Sequence, residues 1–439
     1  MKKEIIDPRT LKGFMELLPK EQIIFNEIYD TIREVYELYG FLPLDTPVIE
    51  RQDVLLAKAG GETEKQIYKF SKGDTEMALR FDQTVPLAKY VAKNYNELTF
   101  PFRRYQISKV FRGERPQQGR FRELYQADID IIGDGKLDVI YDAEIPSIIY
   151  SIFRKLDIGK FLIRINNRKI LNGIYEYLEL SNISQEIIRI IDKIDKIGKD
   201  EVKKLLLELV EDDEKVEKIM EITLIQGSNF EKIEKLRTFG IENEKYNQGL
   251  FEIEEVLKYA KTFGISDDYI KFDMTIARGL DYYTGTVYEV FIEGLEEIGS
   301  VCSGGRYDNL AEYYTDKKLP GVGISIGLTR LFDRLYNYGR LNIEKEYQSQ
   351  IIILPLTNDE KYITKSIEIA NYLRQNNISC EIYLEDKKLK QKFKYANNLN
   401  IPYTIVIGEE EIKDEFLTIK NMKTGNQEKI KKEQIMDLI

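Results

Sequence analysis

Guanidinium groups are concentrated in one short stretch of the chain. Residues 103–122, RRYQISKVFRGERPQQGRFR, contain six arginines and one lysine against a single glutamate. Alternate residues of a β-strand share one face, and the planar guanidinium group binds phosphate oxygens in a bidentate manner. The stretch is typical of a clamp for a polyphosphate, and an ordinary basic surface hairpin is the structural alternative.

Two segments further along the chain combine glycine, tyrosine and arginine. RGLDYYTGTVYEV, residues 278–290, begins with Arg278 and carries a tyrosine pair, Tyr282 and Tyr283. CSGGRYDNL, residues 302–310, follows a glycine pair with a basic and an aromatic residue. A turn before an amphipathic strand would explain the first segment, and a glycine pair commonly just turns the chain. Neither segment identifies a site by itself.

Two other segments place polar residues beside a predicted helix. In GVGISIGLTRLF, residues 321–332, small residues precede a predicted helix that has Arg330 in its first turn. A tight junction between a strand and a helix would explain the same pattern. In LRFDQTVPLAKY, residues 79–90, Asp82 and Thr84 could receive an ammonium group. One of them could instead cap the helix that follows.

The composition limits the chemistry. The 439 residues include no histidine, which excludes Ser-His, Cys-His and histidine–metal sites. The two cysteines, Cys302 and Cys380, are far apart and indicate neither a disulfide framework nor a zinc cluster. Catalysis is therefore expected to use arginines, carboxylates, tyrosines and backbone dipoles, without a protein-bound metal.

Length, charge and hydropathy indicate a multidomain cytosolic protein. A chain of 439 residues is too long for one ordinary core, so two or three domains are expected. No stretch approaches the roughly 20 apolar residues of a membrane helix, and the first residues do not form a signal peptide. The net charge of −10 argues against a general nucleic-acid coat protein, although a local basic patch could hold RNA.

The hydrophobic pattern predicts the elements that must hold these residues. A helix is expected over residues 17–39, ending at Gly40, and the strand expected over 41–50 contains two prolines, which favours a sheet edge. Short apolar runs then alternate with turns, which predicts an α+β domain with an antiparallel sheet. The further elements predicted there are a hairpin around Gly73-Asp74, a helix from Thr84 to Lys93, strands over 103–112 and 122–133 joined by the loop 113–120, strands over 284–293 and 299–303, and a helix from Leu328.

Two regions depart from this texture. Residues 180–262 are rich in Lys, Glu, Ile and Leu and predict a helical insertion. From 351 to 408, apolar runs alternate with amphipathic segments, which predicts a separate β-α-β-α-β domain with a largely parallel sheet. The predicted domains are therefore 1–336, with the insertion, and 349–439. A local basic cluster in the second domain consists of Lys387, Lys388, Lys390, Lys392 and Lys394.

In combination, these segments resemble the class II aminoacyl-tRNA synthetases, specifically the histidyl family. The first helix with TPVIE resembles motif 1, FRGERPQQGRFRELYQ resembles motif 2, and GISIGLTRLF resembles motif 3. RGLDYYTG and SGGRYD resemble the two histidine-recognition segments of that family, and the last ninety residues resemble its anticodon-binding α/β domain. The resemblance covers nearly the whole chain and implies a class II antiparallel sheet flanked by helices, in a homodimer.

The resemblance implies a histidine-tRNA ligase. Such an enzyme activates histidine with ATP to histidyl-adenylate and pyrophosphate, then transfers histidine to the 3′ end of tRNA(His). ATP enters as a substrate with Mg²⁺, and no prosthetic group is implied. The substrate carboxylate is already ionised, so the reaction needs in-line positioning and neutralisation of phosphate charge rather than a general base.

The resemblance also assigns roles to individual residues. Arg278 and Arg112 are the implied catalytic residues, with Arg278 bridging the histidine carboxylate and the α-phosphate. The residues implied for histidine are Asp82, Thr84 and Gln126 at the α-ammonium group, Asp130 and Tyr283 at the imidazole nitrogens, and Tyr282 lining the pocket. The residues implied for ATP are Arg112 at the α-phosphate, Phe121 and Arg330 around adenine, and Arg120 near the terminal phosphate. The motif 2 loop, with Gln117 and Gln118, is expected to approach the acceptor end of the tRNA.

Two alternatives remain. A non-catalytic regulatory paralogue of ATP phosphoribosyltransferase, in histidine biosynthesis, shares this core, binds histidine and usually lacks the anticodon domain. A class II synthetase for proline, threonine or glycine is the other. Against the first stand the C-terminal domain and the arginines at 112, 278 and 330, and against the second stands the pair RGLDYY and SGGRYD.

Overall fold

The chain is organised in two compact units. The computed structural model describes residues 5–57, 62–115, 119–276, 282–341, 347–414 and 416–439, with only the backbone of Glu62, Thr63 and Glu296. One unit is formed by residues 1–16 and 28–342, and the other by residues 17–27 and 343–439. Among the helices of the described ranges, none has the length and apolar character needed to cross a membrane.

The first unit contains eleven of the strands in the described residues and most of the helices. The strands are β1 Leu42–Pro43, β2 Ile49–Arg51, β3 Lys69–Lys72, β4 Thr75–Leu79, β5 Phe102–Phe111, β6 Glu123–Ile132, β7 Phe161–Asn167, β8 Ile270–Phe272, β9 Thr286–Ile292, β10 Cys302–Tyr307 and β11 Gly321–Ile326. The helices, of which the first begins in the other unit, are α1 Pro19–Leu38, α2 Gln52–Leu56, α3 Glu62–Gln66, α4 Thr84–Lys93, α5 Ile140–Lys155, α6 Arg168–Tyr177, α7 Ser184–Ile191, α8 Ile194–Ile197, α9 Lys199–Val210, α10 Asp213–Thr223, α11 Asn229–Thr238, α12 Glu244–Thr262 and α13 Leu328–Asn337.

Eight strands form the main sheet, in the order β1-β5-β6-β11-β10-β9-β7-β8. The pairings are antiparallel except at the two ends, where β1 joins β5 and β8 joins β7 in parallel. Strands β2, β4 and β3 form a small separate sheet. The predicted fold class, α+β with an antiparallel sheet flanked by helices, is confirmed.

One face of the main sheet is apolar and carries the helices. On β6 the alternate residues Ala127, Ile129 and Ile131 are fully buried. The Tyr36 hydroxyl of α1 donates to the backbone oxygen of Ala127 at 3.0 Å, which ties that helix to this face. Because side chains of a strand alternate between faces, the opposite face is left to the polar residues between these positions.

A buried ion pair fastens α5 to the same face. The guanidinium group of Arg306 on β10 donates from Nε and Nη2 to the Asp142 carboxylate, the shortest distance being 2.6 Å, and also to the backbone oxygens of Leu137 and Asp138. Both charged side chains are at most 7% exposed. Arg306 therefore has a structural partner, although it lies in the SGGRYD segment.

The predicted elements are largely observed. Helix α4 has its predicted bounds, β3 and β4 form the hairpin around Gly73-Asp74, and Gly40 ends α1 with a φ of 76°. The single strand predicted over 41–50 is wrong: the segment forms the short strands β1 and β2, which belong to different sheets. Prolines 43 and 47 explain the break, because proline has no N–H to donate to a ladder. The edge position holds, since β1 ends the sheet.

Residues 180–262 are helical, as predicted, but α12 packs back on the core. Glu252 of α12 accepts from the Asn167 side chain at 2.8 Å and pairs with Lys169 at 2.5 Å. Close approach needs small residues, since a Cβ on Gly173 of α6 would lie 2.6 Å from the Tyr246 nitrogen of α12. In the sequence, α7 to α11 therefore lie between two helices, α6 and α12, that contact each other.

The second unit is built around a five-stranded sheet of order β13-β12-β14-β15-β16. Its strands are β12 Ile351–Pro355, β13 Cys380–Ile382, β14 Tyr403–Ile407, β15 Phe416–Asn421 and β16 Gln427–Lys431, and its helices are α14 Glu360–Gln375, α15 Leu389–Asn398 and α16 Glu409–Lys413. Alternate residues of β12 pack in different clusters, Ile353 with Leu373 of α14 and Ile352 with Ala396 of α15. The first three strands are parallel, as predicted, whereas the antiparallel hairpin β15–β16 was missed.

Lys392 does not belong to the predicted basic cluster at the surface. Its side chain is fully buried, and Nζ donates to the Pro355 oxygen at the end of β12 at 2.8 Å. The other four lysines are exposed. The basic surface is therefore formed by Lys387, Lys388, Lys390 and Lys394.

Replacing Asp142 with alanine is expected to destabilise the protein by about 3–5 kcal/mol, because it leaves the buried Arg306 charge without its partner. Unfolding in urea, followed by circular dichroism, measures the change.

The double variant Asp142→Leu with Arg306→Met removes both charges and is expected to lose much less stability. Lys155→Ala, at the end of α5, removes an exposed ion pair with Glu34 and is the control, with an expected loss of stability below about 1 kcal/mol. A single variant as mild as the double variant would contradict the structural role of the pair.

Candidate active site

The polar face of the main sheet is built from alternate residues of its central strands. Gln126, Asp128 and Asp130 of β6 lie on this face, and each is less than a tenth exposed. Opposite Asp130 the neighbouring strand β11 has Gly323, where an added Cβ would lie 2.2 Å from the Asp130 Oδ1 atom. The glycine at this position therefore makes room for the Asp130 carboxylate.

Asp130 is held by two side chains. Across the β5–β6 ladder, Nη2 of Arg104 lies 2.6 Å from the Asp130 Oδ2 atom, and the Tyr307 hydroxyl donates to Oδ1 at 2.7 Å. Burial raises the pKa of the Asp130 carboxyl, while Arg104 and Tyr307 oppose that rise. The Arg104 contact is an ion pair without hydrogen-bond alignment, since its guanidinium nitrogens have no hydrogen-bond partner among the described residues.

Three tyrosines form an aromatic wall beside Asp130. The ring of Tyr282 lies 4.8 Å from that of Tyr283 and 6.0 Å from that of Tyr307, centre to centre. Burial raises the pKa of the phenols of Tyr282 and Tyr283, so both keep their protons at neutral pH. The wall therefore offers hydroxyl donors next to a fixed carboxylate.

Asp82 and Thr84 reach the same pocket from the start of α4. The Asp82 Oδ1 atom accepts from the backbone N–H of Val85 at 3.0 Å, so the capping alternative is confirmed for this residue. Burial raises the pKa of its carboxyl, and Arg112 counteracts the rise. The Thr84 hydroxyl is hydrogen-bonded to Tyr282. The side chains that were predicted to bind the amino acid are thus close together in one pocket.

A cavity of about 380 Å³ lies on the same face. Arg112 packs over the Phe81 ring at 4.7 Å, and Arg120 lies 3.6 Å from the carboxylate of Glu114. The predicted site residues that line the cavity are Arg112, Arg120, Phe121, Gln126 and Arg330. Gln126 lines the cavity and lies on the same face of β6 as Asp130, so the cavity and the aromatic wall are on one face of the sheet.

Arg330 carries a poorly compensated charge. Its Nη2 donates to the Ile298 oxygen, whereas Nε has no hydrogen-bond partner among the described residues. Burial lowers the pKa of its guanidinium group, and the like charges of Arg334 and Arg120 lower it further. An anion or an electron-rich ring in the cavity would relieve this repulsion.

The arginine side chains of residues 103–122 do not all lie on one face of the sheet. Arg103 and Arg104 are adjacent on β5 and point to opposite faces, where Arg103 pairs with Glu144 at 2.8 Å and Arg104 pairs with Asp130. The interpretation of the whole segment as a polyphosphate clamp is therefore wrong for these two residues. Arg112 and Arg120 remain in the cavity. Arg278, Gln117 and Gln118 lie outside the described residues.

Several residues of this face escaped the sequence analysis. Arg104, Tyr307 and Ser325 complete the pocket through contacts between strands. Asp128 lies midway between Gln126 and Asp130 and was also missed, although the alternation of polar and apolar residues along YQADIDII could have revealed it.

Comparisons with known proteins are consistent with this geometry. The family model for histidyl-tRNA synthetase matches residues 13–331, and that for the anticodon-binding domain matches residues 350–439. A histidine–tRNA ligase of Clostridium tetani is 55% identical over 440 residues, which cover 100% of this chain and 99% of that protein.

Solved structures agree. A crystal structure of histidyl-tRNA synthetase from Nostoc sp. PCC 7120 has a TM-score of 0.91 at 40% identity, covering 99% of this chain and 100% of that chain. A protein of Bacillus halodurans, described as an ATP phosphoribosyltransferase regulatory subunit/histidyl-tRNA synthetase, has a TM-score of 0.74 at 21% identity and covers 90% of this chain and 97% of its own. The latter likeness shows the fold alone.

The stability of the protein is expected to depend on pH through Asp128. Burial raises the pKa of this carboxyl from 3.8 to about 7. Between these values the folded state keeps a proton that the unfolded state releases, so the contribution of Asp128 to stability falls as the pH rises and is constant above about 7. The advantage of Asp128→Asn over the unchanged protein is therefore expected to grow by about 3 kcal/mol between pH 5 and pH 8.

Thermal unfolding of both proteins at the two pH values measures this difference, and the titrating groups that do not interact with Asp128 cancel in the comparison. Asp134→Asn, an exposed carboxylate just beyond β6, is the matched control and should show no such growth. A constant difference between Asp128→Asn and the unchanged protein would contradict the prediction.

Proposed function

The chain belongs to the histidyl-tRNA synthetase family, and we propose that the polar face of its main sheet binds histidine and ATP side by side for both steps of histidine–tRNA ligation. The protein is accordingly an aminoacyl-tRNA ligase. The observation that carries the assignment of the site is that buried acids and tyrosines lie on the same face of the sheet as a cavity lined by arginines and Gln126.

The imidazole ring is proposed to bind between Asp130 and Tyr283. The carboxylate, fixed by Arg104 and Tyr307, accepts from one ring N–H, and the protonated phenol donates to the other nitrogen. This pair therefore selects a neutral imidazole. An analogue without these nitrogens would leave buried polar groups unpaired, which can reduce its use by about 10⁴–10⁵-fold.

The α-ammonium group of histidine is proposed to lie near Asp82, Thr84 and Gln126. The Gln126 Oε1 atom is buried and has no hydrogen-bond partner in the described chain, so it is free to accept from the ammonium group. Tyr282 lines the same pocket between Thr84 and Tyr307. The carboxylate of the substrate would then face the arginine-lined cavity.

ATP is proposed to occupy that cavity. Arg112 would hold the α-phosphate, Arg120 the terminal phosphate, and Phe121 with Arg330 the adenine ring. Arg278, proposed to bridge the histidine carboxylate and the α-phosphate, belongs to the segment outside the described residues, so its role rests on the sequence. Fixed guanidinium groups stabilise developing phosphate charge because they need no reorganisation during the reaction.

Magnesium is proposed to enter with ATP. The ion commonly binds through one or two carboxylates together with substrate phosphates, and Glu114 is a carboxylate that lines the cavity beside Arg120. Bound there, the ion would neutralise phosphate charge. The protein's own part is to orient the triphosphate through its arginines.

The chemistry follows from this placement. An oxygen of the histidine carboxylate attacks the α-phosphorus, the bond to pyrophosphate breaks, and histidyl-adenylate remains in the pocket. The terminal ribose hydroxyl of the tRNA then attacks the activated carbonyl and releases AMP. Each step depends mainly on alignment and charge neutralisation, which suits a chain without histidine.

The second unit is proposed to bind the anticodon of tRNA(His), since residues 350–439 match the anticodon-binding domain model. The exposed lysines 387, 388, 390 and 394 are candidate contacts to the RNA backbone. Because charged tRNA is consumed in translation, we propose that the enzyme works in the cytosol.

A homodimer is proposed through the end of α1 and the segment that follows it. Four large apolar side chains are exposed there, and β1 is an edge strand of the main sheet. The residues are Leu38, Leu42, Val48 and Ile49. An exposed apolar patch at a sheet edge is typical of a surface that another chain covers.

The decisive experiment for the function is histidine-dependent exchange of pyrophosphate into ATP. Arg112→Ala and Arg278→Ala are each expected to lower the exchange rate by about 10²–10³-fold, because each removes a fixed donor from the reacting phosphate. Arg115→Ala, exposed on the same loop as Arg112, is the matched control and should keep the original rate.

Exchange that depends on proline, threonine or glycine instead of histidine would contradict the proposed specificity. A complete lack of exchange would favour the regulatory paralogue. Equal rates in the Arg112 and Arg115 variants would remove Arg112 from the catalytic residues.

Leu42→Glu is expected to convert the dimer to monomers at micromolar concentration, because the interface would have to bury an unpaired carboxylate. Size-exclusion chromatography with light scattering measures the mass. Leu384→Glu, at a position of similar exposure in the second unit, is the matched control and should remain dimeric (59% and 55% exposed). A dimeric Leu42 variant would place the interface elsewhere.

A further inference from the structure

Asp128 occupies the centre of the site without a role in the proposed reaction. It lies on β6 between Gln126 and Asp130, on the same face, and it is 3% exposed. Its Oδ1 atom is buried and has no hydrogen-bond partner in the described part of the chain. An ionised carboxylate in such a place is costly unless a partner arrives, so the residue needs an explanation.

A hydrogen-bonded chain connects Asp128 to the amino-acid pocket. The Gln126 Nε2 atom donates to the Ser325 hydroxyl oxygen at 2.8 Å, and the Ser325 hydroxyl is in turn hydrogen-bonded to Asp128. Ionised Asp128 can only accept, and the hydroxyl has one proton, so in that state Ser325 donates to Asp128 while it accepts from Gln126. With the amide turned the other way, the serine proton would be drawn to Gln126, and Asp128 would lose its donor.

The chain therefore fixes which end of the Gln126 amide faces the pocket. With Nε2 held by Ser325, the Oε1 atom is presented as an acceptor, and it is the unpartnered one. That atom is the proposed partner of the substrate ammonium group. Asp128 can thus influence substrate binding without touching the substrate.

Asp128 lies close to two other buried carboxylates. The carboxylates of Asp130 and Asp82 disfavour its ionisation, whereas Arg104 favours it. The titratable groups that face Asp128 from the surrounding elements are Arg104, Arg80, Asp82, Asp130, Tyr36, Tyr283 and Cys302. Arg112 acts on Asp82 in addition, and an incoming ammonium group would bring a further positive charge to the three carboxylates of Asp82, Asp128 and Asp130.

We propose that Asp128 is a positioning residue that orients Gln126 through Ser325 and gives up its proton when the amino acid binds. This inference rests on the proposed function. Burial raises the pKa of Asp128 to about 7, so the free protein holds the proton for part of the time at neutral pH. An opposite charge within a few ångströms lowers a carboxyl pKa by about 1–3 units, which is enough to release that proton in the complex.

Calorimetric titration of the full-length protein with histidine, without ATP, tests the proposal. Titrations at pH 7 in phosphate and in Tris, which differ in ionisation enthalpy, give the number of protons released on binding. The unchanged protein is expected to release a fraction of a proton more than Asp128→Asn. Free histidine also titrates near this pH, but its contribution is the same for both proteins and cancels.

The affinity should show the same linkage. The dissociation constant of Asp128→Asn relative to the unchanged protein is expected to be about twofold or more above one at pH 6 and to rise by a further factor of about five to ten at pH 8. Ser325→Ala should keep the extra proton release but bind histidine about tenfold more weakly, because the amide of Gln126 is no longer held. Asp134→Asn, with an exposed carboxylate, should match the unchanged protein in both measurements.

Equal proton release by the unchanged protein and Asp128→Asn would overturn the proton coupling, and unaltered affinity in Ser325→Ala would overturn the orienting chain. Both outcomes presuppose that the unchanged protein binds histidine and exchanges pyrophosphate. If it does neither, the proposed function itself fails, and the two failures are thereby distinguished.

Discussion

A charge removed from water must meet an opposite charge or several hydrogen bonds, and this requirement organises the main sheet. Arg104 and Asp130 satisfy it across the β5–β6 ladder, and Tyr307 adds a hydroxyl from β10. Three strands are thereby held in a single register, since a slip of one residue would move each side chain to the other face. The carboxylate that is proposed to read the imidazole ring is thus also a part of the framework.

Because side chains alternate between the two faces of a strand, the SGGRYD segment of β10 contributes to both faces of the main sheet. Arg306 and Tyr307 are neighbours on β10, yet Arg306 fastens α5 through Asp142 and Tyr307 holds Asp130 in the pocket. A substitution of Arg306 would therefore remove the partner of Asp142, whereas a substitution of Tyr307 would remove the hydroxyl that holds Asp130. SGGRYD resembles a histidine-recognition segment, but only half of its side chains face the pocket.

Sequence reasoning succeeded where the signal is local. Helices α4 and α13, the hairpin at Gly73-Asp74 and the pair β5–β6 follow from periodicity and turn residues, and the fold class was predicted correctly. It failed where partners are distant in sequence: β7 pairs with β8 and β9, more than a hundred residues away, and Arg104 meets Asp130 only through strand register. The prediction for Lys392 was wrong because a lysine in an amphipathic helix is ordinarily exposed. Here Nζ donates to the Pro355 oxygen at the end of β12.

The contact between α6 and α12 has a consequence for how the helical region can change over evolution. The chain leaves the core at α6 and re-enters it at α12, and the glycine at 173 and the Lys169–Glu252 pair hold these two helices together. Departure and return points are thus fixed side by side regardless of what lies between them. The region from α7 to α11 can therefore become longer or shorter, or be replaced, while α6 and α12 keep their contact and the main sheet keeps its dimensions.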